Sequence, residues 1–341
     1  MTALDGARIL VTGGAGFIGS HLVDALLARG AGAVRVLDNL VNGTRQNLAH
    51  AAGDARFTLL VGDMREEQAR RRALAGVEIV YHLACLGVRH SLHDPVENHH
   101  VNAGGTLAML QSARDFGCRR FIYVSTSEVF GTAQYAPMDE RHPTWPETVY
   151  GGSKLAGEAY TRAFFRTYDM DTVVVRPFNT YGPRSHFGGD SGEVLPRTIV
   201  RLLAGHCPII FGDGEQTRDF MHVSDTAAAL AMLGGAPGVS GQTINLGSGT
   251  EVTINELCAA VAAVTGRPDL VPEHREPRPG DVRRLLGDPS VMRSLTGFAA
   301  QVEFHEGIAQ LVEWFRNLQM DPTEMLARVE DRNWLASAAV L

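Results

Sequence analysis

Tyr150 and Lys154, in Tyr150-Gly151-Gly152-Ser153-Lys154, carry the first chemical signal in the chain. Residues four apart on a helix face the same way. A lysine ammonium beside a phenol favours the phenolate and lowers its pKa. Such a tyrosine can exchange a proton with a hydroxyl on a carbon that gains or loses hydride. Upstream, the hydroxyl-rich turn Ser125-Thr126-Ser127-Glu128 follows the apolar run 121–124. That places it at the carboxyl end of a strand, where the chemistry of a parallel sheet is expected. Taken alone, Tyr and Lys at this spacing could equally make a surface pair.

The second signal is Gly13-Gly14-Ala15-Gly16-Phe17-Ile18-Gly19, directly after Ile9-Leu10-Val11. Glycines let the backbone turn tightly and approach phosphates, and the following helix offers free N–H groups and partial positive charge. The spacing G-x-x-G-x-x-G, between a strand pattern and a helix pattern, reads as a dinucleotide pyrophosphate loop. Asp38 ends the next strand about 20 residues on, where a carboxylate accepts from a ribose 2′-OH. It would repel a 2′-phosphate, so NAD is expected over NADP; Arg45 nearby is the residue that argues the other way. Asp63, after Leu59-Leu60-Val61, is a candidate for adenine recognition and equally a plain turn residue.

Alternating elements must position these residues. Strand patterns at 8–11, 34–37, 58–61, 79–82 and 121–124 alternate with helical patterns, the first at 19–29. This predicts an α/β fold, a doubly wound parallel sheet of Rossmann type with a smaller C-terminal α/β lobe. The apolar run Val173-Val174-Val175 suits the sheet's buried middle. The expected division is a dinucleotide-binding domain over 1–180, with segments returning near 219–250, and a substrate lobe with C-terminal helices over 181–341. Helices are expected at 195–204 and 253–264, a turn at Gly212-Asp213-Gly214, and a loop at 273–281.

Composition narrows the class. Lys+Arg 31 against Asp+Glu 38 gives a net charge of -7, which argues against general binding to nucleic acid or anionic membrane. No apolar run approaches the ~20 residues of a membrane span, and the N-terminal residues lack a signal-peptide pattern. The four cysteines, Cys85, Cys118, Cys207 and Cys258, show no metal-ligand spacing. The expectation is a cytoplasmic protein with reduced thiols and no metal.

The joint motif set is specific. TGGAGFIGSHL at 12–22, HLA at 82–84, GVRHSLHDP at 87–95 and VSTSEVFG at 124–131 are followed by YGGSK at 150–154 and RPFNTYGP at 176–183. FGDGEQTRDFMHVSD at 211–225, INLGSG at 244–249 and PRPGDVRRLLGD at 277–288 complete it. The chain resembles the extended short-chain dehydrogenase/reductases of the nucleotide-sugar epimerase/dehydratase family, up to about residue 315. The resemblance implies NAD as cofactor, a nucleotide-diphosphate sugar as substrate, and a homodimer joined through helices near 105–116 and 151–165.

It also implies roles. Tyr150 would be the base, Lys154 its tuner and the holder of the nicotinamide ribose, and Thr126 a partner of the substrate hydroxyl. Gly13, Gly16, Phe17, Ile18, Gly19, Asp38, Asn39, Asp63, Met64, Leu83 and Ala84 would hold the cofactor, and Asn102 would support it or its neighbourhood. Asn179, Arg218 and Arg278 would grip the diphosphate, Asp281 a ribose, and Arg89, Ser127 and Glu193 would line the substrate pocket. Arg218 beside Asp219 could instead be an ion pair, and Asn102 a helix cap. Cys85 stands where the family more often has alanine. Glu128 keeps three reactions in view: C4 epimerisation, the reading preferred here, or a 4,6-dehydratase or uronate decarboxylase in which Glu128 takes part. A non-catalytic dinucleotide-binding protein is the alternative from another class. The segment 320–341 lies beyond the resemblance, and Trp334 and 336–341 could pack on the body or on a partner.

Overall fold

The computed structural model describes residues 4–278, 280–332 and 334. Twelve strands are present among them: β1 Arg8–Thr12, β2 Ala33–Asp38, β3 Phe57–Val61, β4 Ile79–His82, β5 Arg120–Val124, β6 Thr172–Pro177, β7 Asn179–Tyr181, β8 Ile209–Phe211, β9 Thr217–His222, β10 Thr243–Leu246, β11 Glu251–Thr253 and β12 Glu273–Arg275. The helices are α1 Phe17–Ala28, α2 Glu67–Leu74, α3 Val88–His93, α4 Pro95–His99, α5 Gly105–Asp115, α6 Val149–Tyr168, α7 Val194–Leu203, α8 Val223–Leu233, α9 Ile254–Thr265, α10 Ser290–Thr296, α11 Phe304–Arg316 and α12 Pro322–Leu326.

Seven strands form the main sheet in the order β10-β6-β5-β4-β1-β2-β3, every neighbouring pair parallel. The order reverses between β1 and β4, the switch point at which doubly wound Rossmann sheets bind ligands. Alternation along each strand feeds two cores. Ile9 and Val11 face one side with α1 and α8, while Leu10 faces the other with α2 and α5. Val173 and Val175 against Val174 repeat the pattern, which is why these strands read as continuous apolar runs.

The smaller lobe has its own core, in which Leu195, Ile199 and Leu202 of α7 pack with Leu257 and Val261 of α9 and Ile308, Leu311 and Phe315 of α11. Two short sheets, β11-β9-β7 and β12-β8, carry its loops. The local signals are clear at α9, where Thr253 and Glu256 form a capping box and Gly266 closes the helix at φ +76°.

Three expectations change. The segment expected as loop over 273–281 contains β12, because Glu273–Arg275 pairs with β8 across the lobe. The return to the first domain begins at α8, since β9 stays in a small sheet, and α10 returns as well, placing Met292 in the sheet's core. The opening helix runs Phe17–Ala28, two residues earlier than its apolar face suggested, because the glycine turn delivers the chain directly into it.

Candidate functional site

One cleft of about 630 Å3 lies over the carboxyl ends of the strands, between the two lobes. Of the residues expected to act, all but Asn102 line it.

The glycine loop is built for a close approach. Gly13 sits at φ +70°, and a Cβ there would lie 2.7 Å from the Ala84 amide nitrogen. A Cβ on Gly19 would meet the Gly13 carbonyl oxygen at 2.2 Å, so the helix can pack on the loop only without side chains. Gly16 caps α1 with no side-chain hydrogen bond, and no acidic residue stands in the first turn. The first N–H groups of α1 are therefore left to an anion from outside. Asp38 accepts from the Ala15 amide at 2.9 Å and the Leu40 amide at 2.8 Å, and burial raises its pKa. It thereby ties the second strand to the glycine loop while still facing the cleft. Arg45 is exposed and does not line the cleft. Asp63 lines it but is already paired: Arg65 holds its carboxylate at 2.7 Å and lowers its pKa. These features suit a pyrophosphate and a ribose diol, as a dinucleotide requires.

At the other end of the cleft Tyr150 opens α6, whose N-terminus is capped by the Thr148 hydroxyl accepting from the Gly151 amide at 3.2 Å. Tyr150 lines the cleft together with Thr126 and Cys85. Burial pushes its pKa well above 10, and contact with Thr126 pulls in the opposite direction. This reverses the expectation of a phenol depressed by Lys154. The spacing does put both on α6, but the Lys154 ammonium is buried, donates to the Val124 carbonyl at 2.7 Å and sits 4.5 Å over the Tyr123 ring. Burial lowers its own pKa.

Asn102 stands behind the cleft wall. It is 1% exposed, accepts from the Leu86 amide at 2.8 Å and donates to the Leu86 carbonyl at 2.9 Å. It braces the loop after β4, whose Leu83, Ala84, Cys85 and Leu86 face the cleft, and does not reach the cleft itself.

Arg218 pairs with Asp281 at 2.8 Å, and Arg278 meets the same oxygen at 2.5 Å. Asp281 therefore ties the two guanidiniums together, where a ribose contact was expected. The alternative pairing of Arg218 with Asp219 does not occur: Asp219 accepts from the Ser248, Gly249 and Gly287 amides and fixes the loop after β10. Adjacent residues on β9 point to opposite faces, which separates them. Two guanidiniums joined through one carboxylate leave a net positive charge in the cleft, suited to a diphosphate. The Asn179 amide oxygen is buried in the same cleft with no partner in the protein.

The third group is charged and enclosed. Arg89 of α3 has its Nε buried without a partner, and burial lowers its pKa to about 10. Glu193, just before α7, is raised by burial to about 8, with Arg89 opposing. Glu128 is raised by burial too, against the pull of Arg218 and Arg278. Its neighbour Ser127 is buried on the cleft wall.

Other lining residues were not anticipated. Arg197 and Arg201 line the cleft four and eight residues after the expected Glu193, a spacing that marks both arginines. Phe211, Gln216 and Trp334 line it as well. Nothing local marks Trp334, since 110 or more residues separate it from Phe211 and Gln216. Residues 336–341, expected to pack on the body or on a partner, lie outside the described residues.

A family model described as GDP-mannose 4,6 dehydratase matches residues 10–311. The UDP-glucose 4-epimerase of Mycolicibacterium smegmatis is 40% identical over 318 residues, covering 91% of this chain and 99% of that protein. The dTDP-glucose 4,6-dehydratase of Streptomyces venezuelae, solved with NAD, superimposes with a TM-score of 0.87 at 34% identity, covering 92% of this chain and 98% of that one. The UDP-glucose 4-epimerase of Thermotoga maritima, solved with UDP-glucose, gives 0.85 at 33% identity over 91% and 98%. With a glycine loop, a Tyr150–Lys154 pair and a diphosphate-sized arginine cluster in one cleft, the chain belongs to the extended short-chain dehydrogenase/reductase family of nucleotide-sugar epimerases and dehydratases.

Proposed function

We propose that this chain is an NAD-dependent nucleotide-sugar epimerase acting at C4 of an NDP-hexose or NDP-uronic acid through a transient 4-keto intermediate. The observation that carries the reading is that Tyr150, Lys154 and Thr126 line one cleft together with the glycine loop and the Arg218–Asp281–Arg278 cluster. NAD, when bound, supplies hydride transfer at the sugar carbon. The glycine loop and α1 receive its pyrophosphate, and Asp38 a ribose diol, with repulsion against a 2′-phosphate. Gly13, Gly16, Phe17, Ile18 and Gly19 shape that end, while Asn39, Asp63, Met64, Leu83 and Ala84 line the remainder. Tyr150 exchanges the proton of the sugar hydroxyl at its phenolic oxygen. Thr126 orients that hydroxyl, and Lys154 supplies an ammonium one turn away. Arg218, Arg278 and Asn179 take the diphosphate, and Arg89, Ser127 and Glu193 face the sugar.

The 40% identity to an epimerase over nearly both full lengths supports this reading. Ser127 weighs against a dTDP-glucose-type dehydratase, because a hydroxyl is a poor acid for a departing water; it does not bear on a decarboxylase. Glu128 supports the second reading, a 4,6-dehydratase or uronate decarboxylase: a carboxyl in the cleft with a raised pKa is suited to proton transfer. Mass spectrometry of a nucleotide-sugar panel turned over in deuterated water separates them. A product of unchanged mass, without deuterium and with a new retention time, is expected. Loss of water with deuterium uptake, or loss of CO2, would overturn the epimerase assignment and give Glu128 the chemistry.

A homodimer through α5 and α6 belongs to the same proposal. Leu107 on α5 and Val149 on α6 are 41% and 44% exposed, as an uncovered helical face would leave them. A monomeric mass in light scattering at micromolar concentration would contradict it. Cytoplasmic placement rests on four free cysteines, and fractionation of the source cells tests it.

A further inference from the structure

We infer that Trp334 forms a wall of the compartment for the nucleoside base of the nucleotide-sugar, so that the segment after α12 sets base affinity. The inference rests on the nucleotide-sugar reading but not on which reaction follows.

Helix α7 and the residue before it supply a ruler along the cleft. Glu193 lies at the sugar end, where its carboxyl feels Arg89. Arg197 and Arg201 follow at one and two turns, so Arg201 stands about 12 Å further along at 1.5 Å per residue. There Arg201 meets Asp331 at 3.0 Å, Arg197 donates to the Asp331 carbonyl at 2.9 Å, and Arg275 of β12 meets its carboxylate at 2.8 Å. Three arginines from two elements thus hold one residue of the C-terminal segment.

Three residues on, Trp334 packs edge-on against Phe211 with ring centroids 4.8 Å apart. Both rings line the cleft, with Ile209 and Ile210 beside them. The Gln216 amide, which donates to the Phe211 carbonyl at 2.9 Å, reaches toward Asp281, the residue that joins the two arginines of the diphosphate cluster. An aromatic and apolar recess adjoining a diphosphate cluster fits a flat heterocycle better than a second phosphate. The arginines at this end are already engaged by Asp331, so their charge is partly offset. Base-on-aromatic contact tolerates any base, because every base has a π-face. Choice among bases would then fall to the polar groups around the recess.

The test is calorimetric binding of UDP, dTDP and GDP, with inorganic pyrophosphate as control, to wild type, Trp334→Ala and Trp334→Phe. Trp334→Ala is expected to weaken the tightest of the three diphosphates about tenfold, with pyrophosphate and NAD affinity unchanged. Trp334→Phe should restore most of the loss. In turnover, KM for the nucleotide-sugar should rise in Trp334→Ala while kcat at saturation stays within about twofold, as for lost uniform binding. Equal nucleoside-diphosphate affinity in wild type and Trp334→Ala overturns the inference, as does an equal loss for pyrophosphate. Failure of the epimerase reading would instead show as dehydrated or decarboxylated product, with the binding result standing.

Discussion

Glu193→Gln gives the sharpest test of the cleft's electrostatics. Glu193 is held by burial at about 8, against 4.5 for a free glutamate, so in the folded protein it stays protonated where the unfolded chain has already lost the proton. The folded state then binds more protons, and stability falls as pH rises between those two values. Linkage for this one group gives a penalty of about 1 kcal/mol at pH 5 and about 4 kcal/mol at pH 8, so roughly 3–4 kcal/mol is lost across that span. Glutamine keeps the shape and removes the titration. Spread over 341 residues, the gain at pH 8 relative to pH 5 corresponds to about 5 °C in melting temperature. Scanning calorimetry of wild type and Glu193→Gln at pH 5, 6, 7 and 8 reads it directly. The variant should gain on wild type steadily from pH 5 to pH 8. Parallel curves would mean that Glu193 ionises normally, and would refute the picture of a carboxyl enclosed beside Arg89.

Tyr150→Phe should lower turnover by about 10²–10⁴-fold with NAD still bound, measured by product formation alongside cofactor content; unchanged turnover would remove Tyr150 from proton transfer. Gly13→Ala should cost at least about 1–2 kcal/mol from its left-handed backbone and more from the Ala84 clash, read as lost NAD retention on gel filtration. Asn102→Ala should leave the Leu86 amide unpaired and its carbonyl with Asn98 alone, costing about 1–3 kcal/mol of stability in chemical unfolding and weakening NAD binding without an effect on free nucleoside diphosphates.

The glycine turn, the strand after it and the carboxylate at Asp38 were legible because each is a local pattern. So was α6, whose Thr148 cap and Tyr150–Lys154 spacing lie within one stretch of chain. The motif set extended that reading to Arg218, Arg278 and Asn179, which do share one cleft with Tyr150. Their partners were not legible. Arg218 stands next to Asp219 in sequence and bonds Asp281, 63 residues on, because neighbours along a strand face opposite ways.

Sequence by itself determined the parallel sheet, the dinucleotide loop and the residue types of the chemistry, since periodicity and short motifs depend only on near neighbours. Tertiary structure decided how those residues behave. It turned Lys154 to the Val124 carbonyl, set Asn102 against the loop after β4, and lifted Glu193 to about 8 by enclosing it. It also brought Trp334 to Phe211 through the hold of Arg197, Arg201 and Arg275 on Asp331. Burial, field and long-range pairing arise only when distant segments meet, and no local pattern along the chain encodes them.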